Sequence, residues 1–245
     1  MTARAVAAQA RMEVALTIRR GESVLLTLVL PPALLVFFAT VPLLPLGAHP
    51  VGTLLPGVVA LSVLSTAMVG LAIATGFERQ QGVLKLLGVS PLTRGGWLTA
   101  KLTSVVAIEG VQLVLLAVAA LALGWRPGGA RVLLVVPLVL LGTAAFAGLG
   151  LLMAGRLRAE TTLAAANGLY VLLLLGGGLV VPAASMPGPI ADVARLLPAS
   201  ALAETLGAAL GSGGPVPGEA LAVLVVWAVL TPILAARAFR WQQER

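Results

Sequence analysis

Glu109 lies in "VVAIEGVQLVLL", eight residues past Lys101 and flanked almost wholly by Val, Ile, Leu and Ala. At 1.5 Å rise per helical residue the two charges are about 12 Å apart. An acid in such a run can line a wet cavity and bind a cationic group or a proton. It can equally be a packing acid, protonated or hydrogen-bonded to a neighbouring helix, alongside Gln112 one turn on. Asn167 and Tyr170, at i and i+3 in another apolar run, share a helix face. With Ser62 and Thr66 from an earlier run they make either a polar path or a set of interhelical hydrogen bonds. Charged groups concentrate in "GFERQQGVLKLLGVSPLTRGGWLTAK", residues 76–101, which holds Glu78, Arg79, Gln81, Lys85, Arg94 and Lys101. Covalent and metal chemistry have little to work with. There is no cysteine, and the one histidine, His49, sits in the loop-like "LGAHPVG".

The solvent around these residues follows from composition. Of 245 residues, 59% are hydrophobic and 10% charged, whereas a soluble domain carries about a quarter charged residues. Runs of about 20 apolar residues can cross a hydrocarbon core of about 30 Å. Five such runs read as spans over 23–46, 53–76, 102–124, 132–155 and 162–182, and a shorter sixth covers 219–236. None alternates as the strands of a barrel would, and the first is too long, with no small-residue site after it, to read as a cleaved signal. The expected fold is all-α, a polytopic membrane protein of six transmembrane helices forming a single domain over 1–245.

The net charge of +7 is explained by topology rather than by a nucleic-acid partner. Thirteen of the 16 basic residues fall in the amino-terminal arm, the loops after the second and fourth spans, and the tail. These regions alternate onto one side, leaving Arg126, Arg131 and Arg195 on the other. The positive-inside bias then puts both termini in the cytoplasm of a multi-pass plasma-membrane protein.

Between the spans, residues 3–20 read as an interfacial helix whose arginines meet anionic headgroups. Pro31-Pro32 should kink or divide the first span, and "GGG" at 176–178 is either a close-packing surface or a soft point. The external segment 183–218 reads as two short helices, with repeats at Ile190, Val193, Leu196 and Leu197 and at Leu202, Leu206, Ala209 and Leu210. Both can lie on the outer surface or dip back into the membrane.

The charged stretch has its own periodicity. Phe77, Val83, Leu84 and Leu87 fall in one arc of a helix over 77–88, opposite Glu78, Gln81 and Lys85. Gly88 stops that helix, Ser90-Pro91 restarts the chain, and Trp97 is placed as an interfacial anchor. The pattern is a surface helix with its apolar side toward the membrane.

Here the sequence resembles a family. "GFERQQGVLKLLGVSPLTRGGWLTAKL" looks like the segment ER-x-x-G-x-L-x-x-L-x-x-(S/T)-P-L-x-R…K of type 2 ATP-binding-cassette permeases, and the order of spans resembles actinobacterial drug-export-type permeases. The resemblance implies a permease subunit of an ATP-driven exporter of lipid-like or drug-like amphiphiles. It implies no catalysis by this chain, which has no G-x-x-x-x-G-K-[ST] loop. ATP and magnesium would belong to a separate ATPase present in two copies, and the permease would pair with itself or a homologous permease. The 77–88 helix would be the coupling helix, with Glu78, Arg79, Gln81 and Lys85 facing the ATPase. Ser62, Thr66, Glu109, Asn167 and Tyr170 are the candidate substrate path.

Two other readings compete. A scaffold would use the same helix to recruit a cytoplasmic partner without transport. A secondary transporter would show internal repeats and several intramembrane charges, and neither is evident. An intramembrane enzyme would need paired catalytic groups, which are lacking.

Overall fold

The second span forms the longest helix because nothing in Pro50–Gln80 stops it. Its only internal proline is Pro56, within the first two turns. This helix, α3, is the centre of the bundle in the computed structural model, which describes residues 3–19, 25–41, 50–84, 92–127, 130–179, 186–211 and 214–239. In chain order the helices are α1 (Ala3–Arg19), α2 (Leu30–Thr40), α3 (Pro50–Gln80), α4 (Arg94–Ala122) and α5 (Arg131–Arg156). They are followed by α6 (Ala159–Gly176), α7 (Gly188–Arg195), α8 (Pro198–Leu210) and α9 (Gly218–Ala238). No strand occurs among the described residues. The protein is an all-α polytopic membrane protein. Among the described residues, five helices are long and apolar enough to span, six if the bent pair α7–α8 counts as one.

Pro31 and Pro32 stand where the helical run changes type: a π-helical turn at Leu25–Val29 gives way to α2, and the prolines occupy the first turn of α2. The glycine triplet is a stop: α6 ends at Gly176, and Gly178 takes φ +75°, a left-handed conformation open to glycine.

Packing is closest where side chains are smallest. In lipid, helices gain contact by approaching each other rather than by expelling water. A Cβ on Gly148 would meet Pro232 N of α9 at 2.6 Å, and one on Gly150 would meet Met68 O of α3 at 2.7 Å. Thr231 of α9 donates across the first seam to Ala145 O at 2.7 Å. The α3 backbone is locally π-helical over Leu64–Gly70.

The two helices of the 183–218 segment separate. They meet at 83°, and α8 is the buried one, with Leu202, Leu206, Ala209 and Leu210 packed against α3, α5 and α9. Helix α7 leaves Ile190, Val193 and Leu196 exposed, an apolar face suited to a membrane surface. Trp227 of α9 holds its end by donating to Leu196 O at 2.9 Å.

Candidate functional site

The arginine-rich end of the bundle gathers three helices around one ammonium. Lys101, in the second turn of α4, is 2% exposed and pairs with Glu13 of α1 at 2.9 Å and with Glu78 of α3. Thr93 caps α4 by accepting from Gly96 N at 3.1 Å, which fixes where the helix starts and so where Lys101 points. The ammonium also lies 5.4 Å from the Trp97 ring centroid, within cation–π range. Removing a cation from water is costly unless it is paired. Two carboxylates and an aromatic face meet that need, and the result ties α1, α3 and α4 together.

Arg79 does not face outward as expected. It is buried, and its guanidinium donates to the carbonyls of Gly155 and Leu157 at the end of α5. The last carbonyls of a helix lack intrahelical donors, and a cation there also opposes the helix dipole. Residues 77–80 likewise belong to the last turn of α3 rather than to a separate helix over 77–88; the turn Gln81–Gly82 follows, with Gly82 at φ +76°. Gln81 is exposed. Lys85, Leu87 and the rest of 85–91 lie outside the described residues.

The apolar side of this stretch also differs from expectation. Leu84 packs with Leu92 and Trp97 in a small core of their own, closed by Ala5 and Val6 of α1, Leu98 and Phe239. Trp97 is therefore a buried core residue, 6.3 Å from Phe239 by ring centroid, and not an interfacial anchor. Protein, not lipid, covers Leu84. Leu84 and Leu92, on either side of 85–91, thus belong to one cluster. Gln80 adds a further tie, donating to Glu160 of α6 at 2.6 Å.

The five residues expected on a substrate path are not brought to one surface. Ser62 donates to Val58 O of its own helix at 2.8 Å. Thr66 and Gln112 are mutual partners, and Gln112 also donates to Thr27 O at 2.7 Å, joining α3, α4 and the turn before α2. Glu109 Oε2 is hydrogen-bonded to Thr143 Oγ1 of α5 at 2.6 Å. Asn167 is exposed on α6 and donates only to Leu163 O of that helix, while Tyr170 is half-buried against the core. Thr66 and Glu109 therefore serve helix contacts. Among the described residues, no group of three or more His, Cys, Asp or Glu is placed to hold a metal.

This arrangement has a family. The ABC-2 type transporter family model matches residues 5–210, from α1 through α8. The chain belongs to the ABC-2 type transporter family. It is therefore the membrane-spanning permease subunit of an ABC transporter, and the motif carrying the resemblance coincides with the end of α3 and the start of α4. No curated protein matches the chain at a significant level.

In this ABC-2 permease the residues missed from sequence are Glu13, Gln80 and Thr143. Each is an ordinary polar residue whose partner is far away in the chain. Glu13 carried a usable signal, because it is the one acid in an arm with four arginines.

Proposed function

We propose that this permease exports amphiphilic, lipid-like or drug-like cargo, that it works as a pair with two separate ATPase subunits, and that its arginine-rich end is cytoplasmic. On this reading the turn after α3, from Gln81 onward, is what the ATPase grips, and Glu78 and Arg79 carry its motion inward. The observation that supports it best is the Lys101 cluster. A push on the chain beyond Gln81 acts on a segment whose flanks bear on α1, α3 and α4 through Glu13, Glu78 and Lys101, and on α5 through Arg79. Buried, paired charges keep their geometry because separating them is costly, so the load goes to the spans. An apolar cargo is supported by the open groove along α2, lined by Leu28, Val29, Pro32, Val36, Phe37 and Leu115.

The test is purification of the tagged chain from its native membrane, with mass spectrometry of what remains bound. A co-purifying ATPase with a phosphate-binding loop is expected. Its loss on Glu78→Arg, in protein that still inserts, would tie it to this site. A chain that purifies without any ATPase would count against the reading and favour a scaffold or an ion-driven carrier.

A further inference from the structure

Glu109 is 2% exposed and sits where α4 meets α5. Thr143 Oγ1 lies 2.6 Å from Glu109 Oε2 and 2.8 Å from Val139 O. A hydroxyl carries one hydrogen, and a carbonyl can only accept. The Thr143 contacts by themselves fit either charge state. A carboxylate fits if the hydroxyl hydrogen is shared between two acceptors, as at Thr231, whose Oγ1 faces Ala145 O at 2.7 Å and Trp227 O at 2.9 Å. A neutral acid fits with a proton on Oε2, Glu109 donating to Thr143 and Thr143 to Val139 O. The charge state is decided by the other oxygen and by the surroundings. The remaining oxygen, Oε1, is buried without a partner. For an ionised group in hydrocarbon that is severe, whereas for the carbonyl oxygen of a neutral acid it is modest.

Among the described residues of the helices packed on α4, no cation is placed to neutralise a charge there. Helix α2, which packs on α4, has no ionisable residue. Those of α3 are Glu78 and Arg79, at its far end, and those of α5 are Arg131 and Arg156, at its two ends. On α1, Glu13 holds Lys101, and Arg4, Arg11 and Arg19 are exposed. Lys101 itself is two turns before Glu109 on α4 and bound to two carboxylates.

We propose that Glu109 is a proton-binding site in the α4–α5 seam, a neutral carboxylic acid whose O–H joins the two helices through Thr143. It holds a proton and no larger cation, and the closed seam depends on that proton being present.

The test is infrared spectroscopy of the full chain in lipid at neutral pH, as the difference between wild type and Glu109→Gln. The expected result is a carboxylic-acid carbonyl band, sensitive to deuterium exchange, that the variant loses completely. Thr143→Val, which keeps the acid but removes its acceptor, should move that band upward without creating carboxylate bands. This second variant also decides the matter if Glu109→Gln does not fold. Loss of a carboxylate band pair in Glu109→Gln, or an unmoved spectrum in Thr143→Val, would overturn the proposal, the former in favour of a bound cation.

Discussion

Lys101 Nζ lies 2.9 Å from Glu13 Oε2 across 88 residues of chain, so α1 is held to the bundle by a buried ion pair. An arm that sequence alone leaves at the membrane surface is thereby part of the transporter body. Its exposed side carries Met12, Leu16 and Ile18 between Arg4, Arg11 and Arg19, as an interfacial helix should.

Removing the shared ammonium should cost more than removing either acid. Lys101→Met leaves two partly screened carboxylates facing each other, and a loss of about 3 kcal/mol is expected. Glu13→Gln, which keeps a hydrogen-bond acceptor, should lose about 1 kcal/mol. Thermal unfolding of the purified chain measures both; equal losses would mean that the cluster does not share its charge as described.

At Arg79 the geometry of the donor matters. Arg79→Ala leaves the Gly155 and Leu157 carbonyls without their guanidinium, at about 1–3 kcal/mol for a buried acceptor. Arg79→Lys should recover only part of that, since an ammonium cannot fork to two carbonyls as a guanidinium does. Full recovery in the melting temperature would show that charge alone suffices.

Two glycines separate close packing from open surface. Gly150→Ala puts a Cβ 2.7 Å from Met68 O, whereas nothing lies within 4 Å of a Cβ on Gly168. The first should destabilise by about 1–3 kcal/mol, and the second should gain about 0.5–1 kcal/mol by stiffening its helix. Parallel unfolding curves of the two variants check the sign of each.

Topology is tested by single cysteines in this cysteine-free chain. Replacing exposed Gln81 and exposed Arg195 should give residues that a membrane-impermeant maleimide reaches from opposite sides, position 81 from the cytoplasm. Labelling of both from one side would refute the assigned orientation.

Five of the spans were legible because twenty apolar residues in a row have few alternatives, whereas in 23–46 the described helix is too short to count with them; the buried face of α8 was legible from its leucine repeat. Other features depend on partners that no local pattern names. Trp97 and Leu84 read as membrane-facing by their types, yet Phe239, some 140 residues from Trp97, covers them. Arg79 reads as a surface charge beside Glu78, but the open end of α5 takes it. Periodicity tells which side of a helix is apolar, and in a membrane protein it does not tell whether lipid or protein lies against that side. Asn167 shows the reverse: its polarity suggests an inward position, and it points out from α6.

The contact of Thr231 with Ala145 sets an order of events during synthesis. Eighty-six residues separate the two, and at about 5–20 residues per second the ribosome needs about 4–17 s to make that length. Throughout that interval α5 has already been made while the glycine face destined for α9 stands bare. Until α9 arrives, the bilayer or an insertion factor must shield that face. A chain cut short before Gly218 would never lose that need, which makes the arrival of α9 the step at which this face stops depending on helpers.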